Sequence, residues 1–263
     1  MLIDTHTHLD FPQFKKDREK VIQRIKQAKM KVVNVGSHRK ACQDSVDLAQ
    51  KHDFIYAAVG LHPHDAEKVK DINELVNFLR QLTQKPKAVA IGECGLDYYP
   101  VDQGKFRKEI TPKLKEKQKK VFQAQLKLAE ELKLPVIIHN RDAHQDMFQL
   151  IKAHNLTGTF HCFSGDKDFL NQVLGLGFYV GFCGNLTFKN APELQALAKL
   201  TPLNRLLIET DCPYLSPEPL RGTRNEPVNV KIIAEYLAKL KNTSLAKVAR
   251  ITTKNAQNLF QMI

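Results

Sequence analysis

Short apolar runs alternate with longer amphipathic stretches along the whole sequence, and this alternation constrains the fold more than any other feature. Each apolar run ends in a polar residue or glycine, and a segment with helical periodicity follows it. Strands that alternate with helices are typical of βαβ units, in which consecutive strands lie parallel. The predicted strands are 2–6, 31–35, 54–60, 88–92, 135–139, 158–162, 178–181 and 205–210.

Eight such units in 263 residues predict an α/β fold, a (β/α)8 TIM barrel formed by a single domain over 1–263. A further amphipathic stretch, 244–260, predicts an additional C-terminal helix. A doubly wound parallel sheet is the alternative, and its dinucleotide-binding form is disfavoured because no GxGxxG turn follows a predicted strand. The remaining helices are predicted near 17–29, 40–52, 71–83, 114–133, 142–154, 167–176, 191–200 and 229–241.

The composition indicates a folded protein with no membrane segment. Hydrophobic residues make up 43% of the chain, which is enough for a packed core. No apolar stretch approaches the length of about 18 residues that a membrane-spanning helix needs. Asp4 interrupts the first apolar run, so no secretory signal is indicated. Because the five cysteines form no CxxC pair, we expect cytoplasmic thiols rather than a disulfide framework.

The charge of the chain favours a polyanionic partner, above all nucleic acid. Its formal net charge is +12, from 40 basic and 28 acidic residues. The segment 105–120 alone holds eight basic and two acidic residues, an excess of six. A solvated helix face is the simpler interpretation of such a run. It would become functional if the segment lay beside a catalytic site, as its place after the fourth predicted strand suggests.

Six side chains that can bind a metal ion follow five of the predicted strands. In a barrel the carboxyl ends of all strands meet at one mouth, where catalytic groups are found. We expect each ligand to share a face with an earlier strand residue, as Glu93 does with Ile91. Imidazole and carboxylate donors suit Mg, Mn or Zn, and six of them suit two ions bridged by a carboxylate. The predicted ligands are His6, His8, Glu93, His139, His161 and Asp211.

Several neighbouring residues have a second possible role. His62 and His64 flank a proline beyond the third strand, so we expect a loop above the mouth and substrate contacts rather than ligands. His144 is expected on a helix, facing solvent. Asp4 and Glu209 are expected one step deeper than the ligands, either as partners of their imidazoles or as polar residues of the barrel core. Three cysteines directly follow ligands and should point into the layer between strands and helices: Cys94, Cys162 and Cys212.

The ordered motifs DTHTHLD, GLHPH, AIGECGLDYY, PVIIHNRDA, FHCFSG, IETDCPYL and RGTRNEP resemble those of the TatD family of metal-dependent deoxyribonucleases, which belongs to the amidohydrolase superfamily. The resemblance extends over essentially the whole chain. It implies that one ion is held by His6, His8 and Asp211, the other by His139 and His161, and that Glu93 bridges them. It also implies two divalent ions, typically Mg or Mn, and phosphate contacts near His62, Arg141 and 221–225, with Arg221 and Asn225 at its ends.

Chemistry and resemblance together predict a divalent-metal-dependent phosphodiesterase that degrades single-stranded DNA from its 3′ end, a polarity that rests on the resemblance alone. Two ions would stabilise the growing phosphoryl charge and lower the pKa of a water to generate hydroxide. Glu93 and Asp211 are the predicted catalytic residues, with Asp211 accepting the water's proton. Arg141, Arg221, Arg224 and the lysines of 105–120 would hold flanking phosphates.

Two other functions remain open from the sequence. The same centre could hydrolyse an ester or amide, for example as a D-aminoacyl-tRNA deacylase, since hydroxide attacks carbonyl and phosphoryl groups alike. A non-catalytic nucleic-acid-binding barrel is a third possibility, which the intact ligand set disfavours. No feature demands a protein partner or a membrane, so we expect a monomer.

Overall fold

Eight parallel strands form one nearly closed barrel in this computed structural model, which describes residues 1–102, 107–108 and 110–262. The strands lie side by side in chain order, and the barrel closes where the last strand meets the first. There the N–H of His8 donates to the carbonyl of Cys212 at 3.0 Å, and the N–H of Asp211 to that of His6 at 2.9 Å. The predicted TIM barrel is confirmed. Its strands are β1 (Ile3–Thr7), β2 (Lys31–Val35), β3 (Ile55–Val59), β4 (Ala88–Asp97), β5 (Val136–Arg141), β6 (Gly158–Phe160), β7 (Tyr179–Phe182) and β8 (Leu206–Ile208).

A helix follows each barrel strand, and several of these helices begin at a residue whose side chain caps the first turn. In the fourth helix the Thr111 hydroxyl accepts from the Leu114 N–H at 3.2 Å, and Pro112 occupies the first turn, where no N–H is needed. No helix of the described residues is long and apolar enough to cross a membrane. The helices are α1 (Arg18–Gln27), α2 (Arg39–Lys51), α3 (Ile72–Thr83), α4 (Pro112–Leu132), α5 (His144–Ile151), α6 (Lys167–Gly175), α7 (Pro192–Leu200), α8 (Val230–Leu240) and the predicted extra helix α9 (Leu245–Phe260).

Apolar side chains fill two layers, and together they leave only one end of the barrel polar. The larger layer lies between the strands and the surrounding helices. The smaller one lies inside the barrel, where Ile3, Ile137 and Leu207 pack against Phe260 and Met262 from the end of α9. Because α9 fills the amino-terminal end of the barrel with apolar groups, the polar side chains collect at the carboxyl ends of the strands.

Bulges in two strands change which residues enter the barrel. Ile91 of β4 pairs with Val136 of β5, and Cys94 pairs with Ile138, so β4 has one more residue than β5 between the two pairs. This extra residue reverses the face of the sheet to which the following side chains of β4 point. Ala90 therefore packs inside the barrel, whereas Ile91 packs in the outer layer. The prediction that Ile91 shares a face with Glu93 is wrong for this reason. A similar shift in register occurs in β1 after Asp4.

Gly95 allows β4 to approach β5 closely beyond its bulge. Its φ of +151° is one that residues with a side chain rarely adopt, and a Cβ there would lie 1.9 Å from the His139 carbonyl oxygen. β4 consequently continues to Asp97, five residues beyond its predicted end at 92. Glu93 thus lies within the strand.

Asn34 on β2 holds the segment that follows the two histidines of β1. Its Oδ1 accepts from the N–H of Leu9 at 2.6 Å, and its Nδ2 donates to Asp10 Oδ1 at 2.9 Å and Ser45 Oγ at 2.7 Å. The side chain is completely buried, so no water can replace these partners if it is removed.

Asn34→Ala is expected to lower the free energy of unfolding by about 2–4 kcal/mol, because each buried group that loses its partner costs about 1–3 kcal/mol. Urea denaturation measures this loss, and Asn73→Ala, at an exposed position at the start of α3, is the control. A loss below about 0.5 kcal/mol, the range of neutral surface changes, would contradict the role given to Asn34.

Candidate metal centre

The two histidines of β1 direct one ring nitrogen each to the same point in the barrel mouth. His6 Nε2 and His8 Nε2 lie 3.1 Å apart, and both side chains are buried. His8 Nδ1 donates to the carbonyl of Val35 at 2.8 Å, which leaves the lone pair on Nε2. Asp211 Oδ1 lies 3.4 Å from His8 Nε2 and 3.8 Å from His6 Nε2. The three side chains form one group of donors.

The carboxylate of Glu93 connects this group with a second pair of imidazoles. Its Oε2 lies 3.5 Å from His6 Nε2 and 3.8 Å from His8 Nε2. Its Oε1 lies 2.9 Å from both His139 Nδ1 and His161 Nε2. One oxygen of Glu93 therefore faces each pair, as a bridging carboxylate requires.

The spacing and chemistry of these donors fit divalent cations. Donors about 2.0–2.2 Å from a common ion lie roughly 3–3.6 Å from one another, close to the separations found here. Three groups have donor atoms that all lie within 4.8 Å of one another: His6, His8 and Glu93; His6, His161 and Asp211; His62, Glu93 and His139. Nitrogen and carboxylate donors without a thiolate are compatible with Mg, Mn and Zn.

The pKa shifts differ among these donors, because carboxylates and imidazoles lie in direct contact. Burial alone would raise the pKa of Glu93, but the charges of His161 and His62 and hydrogen bonds from the imidazoles hold it well below its usual range. The pKa of Asp211 is lowered despite burial, chiefly by its hydrogen bond with His8. Burial, aided by repulsion from His161, lowers the pKa of His6 to about 4. Near neutral pH the carboxylates are thus ionised and His6 is uncharged. Against the effect of burial, the carboxylate of Asp211 raises the pKa of His8 to about 8, and Asp97 and Glu93 raise that of His139, as Glu93 does for His161, so a bound cation would displace the protons of these rings.

A basin of about 520 Å³ opens above these donors. His62 lies in its wall, with Nε2 3.6 Å from Glu93 Oε1, so it could serve either as a ligand or as the predicted substrate contact. Arg141, at the end of β5, places its guanidinium 3.6 Å from the centre of the Tyr99 ring. The lining residues are His8, Phe11, Ser37, His62, His64, Asp65, Glu93, Asp97, His139, Arg141, His161, Asp211 and Tyr214.

Arg221, Arg224 and Asn225 lie outside this lining. Arg221 is exposed and packs over the ring of Phe188 at 4.1 Å. Arg224 forms ion pairs with Asp17 and Glu226.

The side-chain amide of Asn225 forms hydrogen bonds with other groups of the protein. The side chain is completely buried, and its Nδ2 donates to the carbonyl of Thr210 at 3.0 Å. Its Oδ1 accepts from Asn229 Nδ2 at 2.9 Å. Asn225 therefore supports the backbone next to Asp211.

Asp97 is a site residue that the sequence analysis does not identify. Its Oδ2 accepts from His139 Nε2 at 3.0 Å and from His64 Nε2 at 2.9 Å, and the carboxylate is buried. Burial would raise its pKa, but the two imidazoles lower it below its usual value. Because His139 donates through Nε2, its Nδ1 is free to face Glu93. Asp97 lies four positions after Glu93 in GECGLDYY, and this even spacing is the signal that could have indicated it.

Two of the three cysteines that were predicted to point into the layer between strands and helices do so. Cys94 and Cys212 pack in the layer between strands and helices, as predicted. The prediction is wrong for Cys162, which is partly exposed, because β6 ends at Phe160 and the alternation of faces ends with it. Cys162 has a φ of +40°, and its Sγ lies 3.9 Å from Asn185 Nδ2.

The surroundings of three further residues can be compared with those expected from the sequence: His144, Glu209 and Asp4. His144 does not face solvent: it is half-buried, stacks on Phe169 at 4.6 Å and lies 2.6 Å from the Asn140 amide. Glu209 Oε1 lies 3.7 Å from His161 Nδ1, too far for a hydrogen bond, and accepts from the N–H of Cys162 at 2.5 Å. Asp4 instead accepts hydrogen bonds from Thr210 and from the backbone N–H of His6.

A TIM barrel whose mouth gathers four imidazoles and two carboxylates belongs to the class of metal-dependent hydrolases. Residues 3–261 match the family model described as TatD related DNase, and the chain belongs to the TatD family. It is 43% identical to the metal-dependent hydrolase YabD of Bacillus subtilis (strain 168), with both chains covered completely. It is 34% identical to the 3′-5′ ssDNA/RNA exonuclease TatD of Erwinia tasmaniensis, over 99% of this chain and 100% of that one. The crystal structure of the TatD homologue YjjV from Escherichia coli K12 superposes with a TM-score of 0.88 at 31% identity, covering 100% of this chain and 98% of that one.

Asp97→Asn is expected to weaken divalent-metal binding by about 10–100-fold, the usual effect of losing a partner that orients a ligand. The amide keeps the size of the carboxylate but has no charge and only one acceptor oxygen, so it cannot serve both the imidazoles and the Tyr99 N–H, which donates to Asp97 Oδ1 at 3.0 Å. Calorimetric titration of Mn²⁺ into chelator-treated protein measures the change. Asp168→Asn, at an exposed position in α6, serves as the control, and equal affinities of the two variants would contradict the prediction.

Proposed function

We propose that this protein hydrolyses phosphodiester bonds of single-stranded DNA from the 3′ end, with two divalent ions, Mg or Mn, at the barrel mouth. The observation that carries the proposal is the position of Glu93, whose two carboxylate oxygens face separate pairs of imidazoles. Paired ions are common among enzymes that cleave phosphodiesters. The name of the Erwinia tasmaniensis relative supports a single-stranded substrate and this polarity.

In the proposed centre each ion would have its own ligands and both would share Glu93. His6, His8 and Asp211 would hold one ion, and His139 and His161 would hold the other. Glu93 keeps the two sites at a fixed separation, and Asp97 and the Val35 carbonyl set the orientations of His139 and His8. His62 lies next to the second site, close to Glu93 Oε1.

The protein's own groups bind the substrate and move the proton. Bound divalent ions would stabilise negative charge on the phosphoryl oxygens and make an attacking water more acidic. Asp211, ionised and open to the basin, accepts the proton of that water. Arg141 binds a non-bridging phosphate oxygen through its guanidinium, which the Tyr99 ring holds at the basin wall. His62 contributes a second contact to the same phosphate.

Lysines of α4 extend the positive surface beside the basin. Lys113, Lys117 and Lys120 line a cleft of about 630 Å³ together with Glu67. Glu67 belongs to the 3-10 helix Pro63–Lys68, whose residues His64 and Asp65 line the basin, so the cleft and the basin share a wall. Phosphates of the strand beyond the scissile bond would lie along these lysines. Within the segment 105–120, residues 105, 106 and 109 lie outside the described residues.

We further propose that residues 1–263 act as one unit, as a monomer in the cytoplasm. His6 near one end of the chain and Asp211 near the other belong to the same donor group, so neither part could form the centre alone. The five cysteines are all free thiols, which suits a reducing compartment.

Glu93→Ala is expected to abolish degradation of single-stranded DNA, a loss of at least about 10³-fold, because both ion sites lose a shared ligand. Release of nucleotides from a 3′-labelled and a 5′-labelled strand in Mg²⁺ or Mn²⁺ measures the activity and its polarity. Glu193→Ala, at an exposed position in α7, should retain activity. Undiminished cleavage by Glu93→Ala would contradict the proposal, and so would cleavage of D-aminoacyl-tRNA without cleavage of DNA.

Replacing Lys113, Lys117 and Lys120 together by glutamine is expected to raise KM for a long oligonucleotide and leave kcat for a dinucleotide unchanged. The slope of log affinity against log salt concentration should fall by roughly 2, since each phosphate contact on a single strand contributes about 0.7. Lys239, Lys247 and Lys254, exposed on α8 and α9, give a control variant with the same change of charge. Equal salt slopes for the two triple variants would show that the cleft does not bind the strand.

A further inference from the structure

The wall of the basin carries an aromatic surface that the proposed chemistry does not use. The exposed large hydrophobic side chains of the described residues include one aromatic ring, that of Tyr214, which is 49% exposed and lines the basin. Phe11 lines the same wall and lies 6.1 Å from Tyr214, with the two rings inclined at 76°. Aromatic rings in the wall of a polar basin can stack on a flat ligand group.

Both rings are tied to metal ligands. Phe11 stacks on His8 with ring centres 4.5 Å apart and an angle of 16° between the planes. The N–H of Tyr214 donates to the carbonyl of Asp211 at 3.0 Å, which closes a tight turn. This turn fixes the position of Tyr214 relative to Asp211. The buried Asn225 braces this turn, because its N–H donates to the Pro213 carbonyl. The aromatic surface is therefore held at a set distance from the metal centre.

The aromatic surface and the basic groups stand on different sides of the barrel. Phe11 follows β1 and Tyr214 follows β8, and these strands are neighbours where the barrel closes. Arg141 ends β5, which is four strands from β1 around an eight-stranded barrel. A nucleotide has the same division, with a charged phosphate at one end and a flat apolar base at the other.

We propose that Tyr214, with Phe11 set edge-to-face beside it, forms a stacking platform for the base of the nucleotide whose phosphate lies at the metal centre. The proposal rests on the nuclease function proposed above and adds a recognition site to it. Stacking depends on the face of a base, which all four bases share, so the platform would bind the terminal nucleotide without sequence preference. An ester or amide substrate without a neighbouring base would make no use of it.

Fluorescence tests the platform without requiring catalysis. The probe is a single strand with 2-aminopurine as its 3′-terminal base and a phosphorothioate as its terminal linkage, since 2-aminopurine loses fluorescence when it stacks. Wild-type protein and Tyr214→Phe should quench the probe, and Tyr214→Ala should not. The metal content of Tyr214→Ala should equal that of the wild type, which shows that Asp211 is undisturbed. Absence of quenching by wild type, or full quenching by Tyr214→Ala, would overturn the proposal.

Cleavage kinetics separate this platform from the nuclease function itself. Two matched strands are compared, one with a normal 3′-terminal nucleoside and one with an abasic terminal residue. Wild type should cleave the abasic strand with a kcat/KM lower by about 5–100-fold, the range expected for the loss of one stacked base. Tyr214→Ala should cleave both strands with the same kcat/KM. If this variant discriminates between the strands as strongly as the wild type does, the platform is overturned. Quenching without cleavage of either strand would contradict the nuclease function and leave the platform supported.

Discussion

The buried carboxylate of Glu93 is the interaction on which the rest of this centre depends. An ionised group this deep in a protein is strongly disfavoured unless positive or hydrogen-bonding partners surround it. Here imidazoles approach both of its oxygens, and they hold its pKa well below the usual range. A cation that displaces the protons of these imidazoles would occupy the space between them and Glu93. The charge that destabilises an isolated Glu93 is therefore what would attract a cation to the mouth.

The barrel has to bring these donors together from distant parts of the chain. Closure between β1 and β8 places Asp211 beside His8, although 203 positions separate them. The bulge in β4 brings Glu93 to the barrel mouth, and Gly95 lets the strand continue to Asp97. The lower half of the barrel is filled with apolar side chains and with the end of α9. Rigid packing below the mouth limits how far the ligands can move apart.

Groups beyond the ligands complete the centre by setting the direction of each ring. Val35 and Asp97 accept protons from the ring nitrogens of His8 and His139 that point away from the centre. Asn225 buttresses the turn that carries Asp211 and Tyr214. The metal centre and the aromatic wall are consequently connected through the turn at Asp211 and Tyr214, and the cleft on α4 adjoins the basin at the helix Pro63–Lys68. In the proposed nuclease they would address the scissile phosphate, the following phosphates and the terminal base.

The sequence by itself determined the architecture and most of the residues that meet at the candidate metal centre, because both are encoded locally. Apolar runs that alternate with amphipathic stretches required a parallel barrel, and polar residues at the ends of those runs had to meet at its mouth. Only the tertiary structure decided the details that depend on register and on partners far along the chain. The bulge moved Ile91 to the outer layer, the early end of β6 left Cys162 partly exposed, and Asn225 turned inward to support a backbone turn. Asp97 gained its role because β4 extends far enough to reach His139 and His64, a contact between three segments that no local pattern specifies.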